Sequence, residues 1–554
     1  MFRDKLPLPI GEDFYKKAVT EYFTVDKTLM IKDVIDANTQ VALFTRPRRF
    51  GKTLNMDMLR TFFEKTDEDN SVYFKDKLIW QEGEKYTKEQ GKYPVIWLTL
   101  KNEKCLDWPT EYNSIKLLIS GEYKRYRKIV TETWTESEKL YFDSVLNCRC
   151  DISELQKSLA FLTEKLSAYY GENTIVIIDE YDMVIQAGYT SGYFREAVSF
   201  IRNLFSGAFK NNPCLKYGFL TGIMRIAKEN IFSGLNNLRV YSTLDTKFSE
   251  YFGFTKDDIW KFAEYYECED KVDEIAAWYD GYRFGNTEIY NPWSVICYID
   301  NNCTPDIYWV STSSNDIIKE LLAACPPEID RKLKLLYEGE KLSEPVDISI
   351  IYEDVKQNIS NIFSFLLITG YLKATGSHTY GDMTFYDLEI PNKELHFVYK
   401  KEILARINSY EKNSLGVDII KYLGTGDIAS FEEQLKKFLL LTASFYDTEN
   451  ESFYHGLMLG FCGVAGDFFE ISSNREAGYG RFDIQLKPKY DYLPGYVFEL
   501  KKATKSQSLN TVARYALSQI EKKQYYAGLQ EAGVKNIVKI GMAFRGKEAA
   551  VKSG

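Results

Sequence analysis

Histidine is nearly absent from this chain, cysteine is scattered, and no long apolar run occurs. Three histidines in 554 residues, His378, His396 and His455, leave few ways to build a histidine-rich metal site or an HNH-type nuclease. Chemistry must rest on carboxylates and lysines. The nine cysteines are odd in number and irregularly spaced, which argues against a disulfide framework and for a reducing compartment, the cytoplasm by default. Cys148 and Cys150 have no second pair or histidine nearby in sequence, so core or surface thiols are a better reading than zinc ligands. The longest mainly apolar runs, Ile362 to Ile368 and Phe438 to Leu441, fall far short of the roughly 18 to 20 residues that span a bilayer, so no membrane partner is expected. The opening stretch MFRDKLPLPIGEDFYKKA lacks the apolar centre and small-residue cleavage site of a secretory signal, and export is not expected.

What is present describes a folded chain with more than one core. An apolar share of 45% and an aromatic share of 15%, with only 14 prolines, allow enough burial to offset the entropy of ordering. The length exceeds the roughly 250 to 300 residues at which single cores stop growing. The net charge of -9 gives no global basic footprint, yet residues 430–554 hold 17 Lys and Arg against 14 Asp and Glu.

The first half alternates helical and strand patterns. Helical spacing covers Glu12 to Glu21, Lys27 to Ala37, Thr53 to Glu64, Ile152 to Tyr169 and Gly192 to Phe205. Apolar strands are expected at Val41 to Phe44, Pro94 to Leu100, Thr174 to Ile178 and Leu215 to Thr221, the pattern of strands buried on both faces of a parallel sheet. The expectation is α/β, a doubly wound parallel sheet. From about Thr255 to Glu394 the strand signal fades into helical, aromatic-rich segments such as Asp257 to Tyr266 and Asp316 to Ala323, suggesting a helical lid with a small all-α or winged element. A helical connector, Leu395 to Phe445, precedes strands at Phe468 to Ser472, Arg481 to Leu486, Tyr496 to Leu500 and Ile537 to Ala543, with a helix at Asn510 to Leu529.

Two motifs carry chemistry in the first half. Arg46 opens R-P-R-R-F-G-K-T, which fits the phosphate-loop pattern G-x-x-x-x-G-K-[ST] at Gly51, Lys52 and Thr53 but has arginine where the first glycine stands. The segment leaves a buried strand and opens a helix, so backbone N–H groups at Arg49, Phe50 and Gly51 would face an anion such as ATP phosphate. Lys52 would reach the β- and γ-phosphates and Thr53 would bind Mg²⁺, while Arg46, Arg48 and Arg49 add charge for phosphates or a neighbouring subunit. Downstream, Ile175 to Glu180 is an apolar strand ending in two acids, a Walker B arrangement: Asp179 would hold Mg²⁺ and Glu180 would polarise the attacking water. Thr221 either senses the γ-phosphate or is an ordinary strand-end threonine, and Arg225, one helical turn on, shares that ambiguity.

A second cluster lies near the C-terminus. Asp483 falls mid-strand, and Glu499 and Lys501 share one face of the next strand, since side chains alternate with period two. Pairing through the turn at Pro494 and Gly495 would bring them together as hard-oxygen metal ligands, Asp483 and Glu499, beside a lysine that orients water or stabilises phosphate charge. Glu476 would add a carboxylate and Gln519 would position water or phosphate. A solvated hairpin is the bland alternative. Charges ending an apolar strand argue against it. His455 stands near the cluster in this scheme or is a buried structural histidine; WYDGYRFG, ending at Gly285, reads as a packed corner with Arg283 stacked on rings.

With these residues the chain resembles the bacterial AAA-ATPase-like family that carries a C-terminal PD-(D/E)xK nuclease-like domain. The resemblance rests on LPIGEDF from Leu8, YFTVDKT ending at Thr28, RPRRFGKT from Arg46, IIDEYD ending at Asp182 and TGIMRIAKENIFSGLNNL from Thr221. WYDGYRFG, YNPWS from Tyr290, YHGLMLG from Tyr454, NREAGYGRFD from Asn474 and FELK ending at Lys501 extend it. It implies a P-loop NTPase domain at 1–250, a helical lid, winged or connector region at 251–429 and a restriction-endonuclease-like α/β domain at 430–554. It also implies that Arg46 is typical, that ATP is hydrolysed with Mg²⁺, and that DNA or RNA is cut, DNA being the favoured nucleic-acid partner. A homo-oligomer with an arginine acting in trans is the partner expected of such ATPases. The leading scheme is an ATP-regulated nuclease gated through the middle region; the alternative is a nucleotide-switched module that grips nucleic acid or protein without cutting.

Overall fold

The computed structural model describes residues 5–225, 235–309, 327–350, 359–381, 383–399, 422, 427–442, 451–464, 469–490 and 493–554. They fall in two compact units, Met1–Ile403 and Leu404–Gly554.

The first unit is built on a parallel sheet of β1 (Val41–Thr45), β2 (Val95–Thr99), β3 (Thr174–Asp179), β4 (Leu215–Gly222) and β5 (Leu238–Tyr241), in the order β2-β3-β4-β1-β5. β1 and β3 are buried at every position, as their unbroken apolar runs require. The helices Lys52–Phe63, Ile152–Tyr170 and Phe194–Phe209 connect the strands. Local chemistry fixes their ends: the Asp151 side chain and Glu154 form a reciprocal capping box, and Gly171 closes the same helix in the left-handed conformation. β4 lies between β1 and β3, so Thr45, Thr221 and Asp179 end neighbouring strands at one edge, where open α/β sheets bind ligands.

The remainder of this unit is not purely helical. A hairpin, β6 (Tyr282–Phe284) with β7 (Thr287–Ile289), and an antiparallel sheet of β8 (Leu342–Pro345), β9 (Lys373–Tyr380) and β10 (Met383–Glu389) accompany helices Lys256–Tyr266, Val272–Tyr279 and Pro292–Asp300. β9 is mostly polar and only its second half is exposed, so no apolar run announces it. The helix expected at Asp316 to Ala323 lies outside the described residues, as does most of the connector expected at Leu395 to Phe445. WYDGYRFG is a packed corner. The arginine over Phe284 is Arg46, however, 5.1 Å from the ring centroid, whereas Arg283 donates to the Thr375 carbonyl.

The second unit is a mixed sheet in the order β11-β14-β15-β16-β17, with β11 (Phe469–Ser473), β14 (Ile484–Pro488), β15 (Gly495–Lys502), β16 (Ile537–Arg545) and β17 (Glu548–Ser553). A short ribbon, β12 (Glu476–Ala477) with β13 (Gly480–Arg481), precedes β14. β15 and β16 are parallel and joined across the helix Leu509–Lys523, which stops at Gln524 in left-handed geometry, earlier than expected, before a short helix Ala527–Glu531. The helix Leu509–Lys523 lies directly on β16. A Cβ on Gly541 would come within 2.3 Å of the Leu517 nitrogen and 2.4 Å of the Ala513 oxygen.

Among the described residues no helix is long and apolar enough to cross a membrane. The Gly541 contact generates a test: Gly541→Ala should lower the unfolding free energy of this unit by about 1–3 kcal/mol through overpacking. Gly528→Ala, inside the helix Ala527–Glu531, where a Cβ meets no described atom within 4 Å, should hold it or raise it by up to about 1 kcal/mol, both read by urea melts.

Candidate functional site

The phosphate loop is held from inside by the residue that replaces its first glycine. Arg46 is fully buried; its Nη1 donates to the carbonyls of Thr45 and Tyr241, both at 2.8 Å, and its Nη2 to that of Phe248 at 3.3 Å. The guanidinium stacks over Phe252 and Phe284, at 5.0 and 5.1 Å. Burial lowers its pKa to about 9, with Asp245 opposing, so it stays charged at neutral pH. Arg46 therefore points away from any phosphate, contrary to the role expected of it. Phe50 is likewise turned inward, edge-on to Tyr282 at 4.9 Å, leaving only its backbone to a ligand. The middle region grips the same loop: Trp309 Nε1 donates to the Arg48 carbonyl at 3.2 Å, and Arg49 lies over Trp293 at 4.2 Å.

The loop ends in Gly51, whose φ of 75° suits glycine, and the helix begins at Lys52. Lys52 Nζ donates to the carbonyls of Arg46 and Pro47, at 3.2 and 3.0 Å, and lies 3.4 Å from Glu180. Thr53 Oγ1 donates to Asp179 Oδ2 at 2.8 Å, and Thr221 Oγ1 to Asp179 Oδ1 at 2.5 Å. Glu180 has a left-handed φ of 53°, and its N–H donates to Thr221 Oγ1 at 3.0 Å. Burial and the adjacent Glu180 raise the Asp179 pKa; burial works in the same direction on Glu180, but Lys52 and Arg48 outweigh it and hold Glu180 below its ordinary value.

A cavity of about 290 Å³ opens over this group, lined by Arg49, Gly51, Lys52, Thr53 and Glu180. Its other walls were not singled out from sequence: Lys101 and Lys104 follow β2, Glu12 and Asp13 precede the first helix, and Val25, Phe254, Phe262 and Ile296 supply an apolar side. LPIGEDF contains two of those residues, but nothing in its pattern indicates a wall. Thr221 and Asp179 are buried behind that lining, Thr221 bonded to Asp179 and Asp179 to Thr53. Arg225 is not among the described lining residues, and its Nε is buried.

In the second unit β14 pairs with β15 antiparallel, Ile484 opposite Phe498, so Asp483 and Glu499 come side by side. Asp483 lies in the bend just before β14 rather than mid-strand, and its Oδ2 accepts the Leu500 N–H at 2.7 Å. Glu499 is 2% exposed; its Oε1 accepts from Lys501 Nζ at 2.7 Å and Gln519 Nε2 at 2.6 Å, while its Oε2 is buried without a partner among the described residues. Burial and the Asp483 charge raise the Glu499 pKa to about 7. Gln519 also donates to Tyr525 OH at 3.1 Å. His455 Nε2 lies 3.1 Å from the Asp483 carbonyl oxygen and 3.1 Å from Ser473 Oγ, beside the cluster. Glu476 lies on β12, and its side chain is outside those described. Glu451, which opens the helix Glu451–Val464, was missed: its charge acts on Asp483, Glu499 and Lys501, and it accepts the Lys502 N–H at 3.2 Å. An acid in a helix's first turn is too common to stand out.

Residues 9–232 match the family model described as AAA-ATPase-like, predicted AAA-ATPase, and residues 449–554 match that of the PD-(D/E)XK nuclease superfamily. Both parts of the resemblance drawn from the motifs are borne out, and the chain carries an AAA-ATPase-like domain followed by a PD-(D/E)XK nuclease-like domain. A protein of Azotobacter chroococcum mcd 1 named "Uncharacterized protein in vnfD 5'region" is 25% identical over 415 residues, 73% of this chain and 71% of the relative.

Two tests follow from the geometry. Arg46→Gly restores the motif's first glycine yet removes three carbonyl bonds and leaves a cavity; it should destabilise the first unit by roughly 3 kcal/mol or more in chemical melts. Glu499 has a folded pKa of about 7 against an ordinary 4.5, so its contribution to stability is complete below 4.5 and lost as pH rises through 7. The second unit should lose up to about 3 kcal/mol between pH 4.5 and 8, and Glu499→Gln should flatten that profile.

Proposed function

We propose that this chain binds and hydrolyses ATP at the Lys52, Thr53, Asp179 and Glu180 cavity and uses the second unit as a metal-dependent nuclease. Lys52, Thr53 and Glu180 line one cavity and Asp179 lies behind Thr53, bonded to it; that convergence carries the first half of the reading. Its cationic wall fits a triphosphate and its apolar side a purine base. Thr53 Oγ1 and Asp179 Oδ2, hard oxygens 2.8 Å apart, fit Mg²⁺. When bound, such an ion neutralises phosphate charge. Lys52 exchanges the Arg46 and Pro47 carbonyls for phosphate oxygens, Thr221 fixes the Asp179 carboxylate, and Glu180, kept ionised by Lys52 and Arg48, orients the attacking water.

In the second unit the unpartnered Glu499 Oε2 beside Asp483 fits a divalent cation, which would polarise the scissile phosphate. Lys501 orients the water nucleophile or stabilises phosphate charge, and Gln519 keeps Glu499 in place. Because Trp293, Trp309 and Phe284 of the middle region hold the phosphate loop, nucleotide occupancy is expected to reach beyond the cavity and to regulate cleavage. DNA is the first substrate class to test, and self-association is expected of the ATPase.

A second reading is nucleotide-switched binding without cleavage. The readings separate in one set of assays. Lys52→Ala should abolish ATP binding, and Glu180→Gln should bind ATP while turnover drops about 100-fold or more. DNA cleavage with Mg²⁺ or Mn²⁺ should vanish in Glu499→Ala and Lys501→Ala and respond to ATP. Lys52→Ala hydrolysing ATP like the parent sinks the first assignment, and a parent protein inert on DNA and RNA under all these conditions sinks the second.

A further inference from the structure

Two of the most exposed aromatic side chains in the second unit flank the Asp483 and Glu499 cluster. Tyr479 is 74% exposed and Tyr515 is 61% exposed. Tyr515 stands four residues before Gln519 on the helix Leu509–Lys523, so the two side chains lie on one helix face, a turn apart. Gln519 donates to Glu499, which places Tyr515 one turn from the carboxylates.

Tyr479 approaches from the other side. It sits at the tip of the β12–β13 ribbon, and its N–H donates to the Lys523 carbonyl at 2.8 Å, tying the tip to the end of the same helix. Gly478 has a φ of 58° and a Cβ there would fall 2.3 Å from the Lys523 oxygen; a Cβ on Gly480 would fall 3.0 Å from the Tyr525 ring. The ribbon is thus pressed onto helix end and ring, and Tyr525 OH in turn receives Gln519. Tyr479 is held at the rim of the cluster.

The surroundings are basic in an otherwise acidic chain. Residues 474–523 carry ten Lys and Arg against five Asp and Glu, among them Arg481, Arg514, Lys522 and Lys523. Exposed rings on a rigid frame among cations are what unpaired bases need, because every base offers a face for stacking and the cations follow the backbone. A paired duplex keeps those faces inside its own stack.

We propose that Tyr479 and Tyr515 form a stacking platform for unpaired nucleotides, and that the second unit takes single-stranded nucleic acid, or a single-stranded stretch, into its cluster. This rests on the nuclease reading and names its substrate class.

The test uses the full chain carrying Glu499→Gln, with Ca²⁺ to hold the complex uncut, and fluorescence anisotropy of labelled strands of about 12 nucleotides. An oligothymidylate should bind about 10-fold or more tightly than an abasic strand of equal length, and more tightly than a duplex. Tyr479→Ala and Tyr515→Ala should each remove most of that preference, with Tyr479→Phe and Tyr515→Phe keeping it, since the ring and not the hydroxyl acts. Equal binding of abasic strand and oligothymidylate, tighter binding of duplex, or alanine variants that bind like the parent would overturn the platform. If metal-dependent cleavage requiring Glu499 is then still observed, only the platform fails; if neither binding nor cleavage occurs, the nuclease reading falls with it.

Discussion

A buried guanidinium sets the shape of the first unit's functional edge. Arg46 leaves β1 at the point where the phosphate-loop pattern calls for glycine, and its charge is spent on carbonyls at Thr45, Tyr241 and Phe248. An isolated buried charge is expensive, and this one is tolerated because three oxygens and two aromatic faces replace its water. The loop is thereby stapled to β5, to the segment that follows it and to the β6–β7 hairpin. Everything proposed for the cavity assumes that this staple leaves Gly51, Lys52 and Thr53 free to meet phosphate.

The two clusters solve a common problem in different ways. Asp179 and Glu499 are both buried carboxylates with raised pKa values, burial being the larger cause in each. Asp179 is satisfied by hydroxyls from Thr53 and Thr221. Glu499 has one oxygen committed to Lys501 and Gln519 and, among the described residues, no partner for the other, the opening on which the proposed metal reading rests.

Much of this was legible in the sequence because it is local. Gly51, Lys52 and Thr53 follow an apolar strand, Asp179 and Glu180 end another, and the alternation that puts Glu499 and Lys501 on one face needs only period two. The work of Arg46 was not legible, since Tyr241, Phe248, Phe252 and Phe284 lie some two hundred residues downstream and only the tertiary fold brings them near. β5, four residues with a largely half-exposed pattern, gave no apolar signal, and β9 was hidden by its polarity. Glu451, Lys101 and Lys104 look like ordinary surface charges until the fold faces them toward a site. Asp483 differs from expectation by a single step, since the bend before β14 lets its carboxylate cap the Leu500 N–H.

The central claim is that the loop binds phosphate through Gly51, Lys52 and Thr53 while Arg46 stays inside as its brace. A crystal structure of the chain with a non-hydrolysable ATP analogue and Mg²⁺ addresses it directly. The account predicts the β- and γ-phosphates over Gly51 to Thr53, Lys52 Nζ moved from the Arg46 and Pro47 carbonyls onto phosphate, and the Arg46 guanidinium still bonded to Thr45, Tyr241 and Phe248. Arg46 swung out onto the nucleotide, or a nucleotide bound away from the loop, would contradict it.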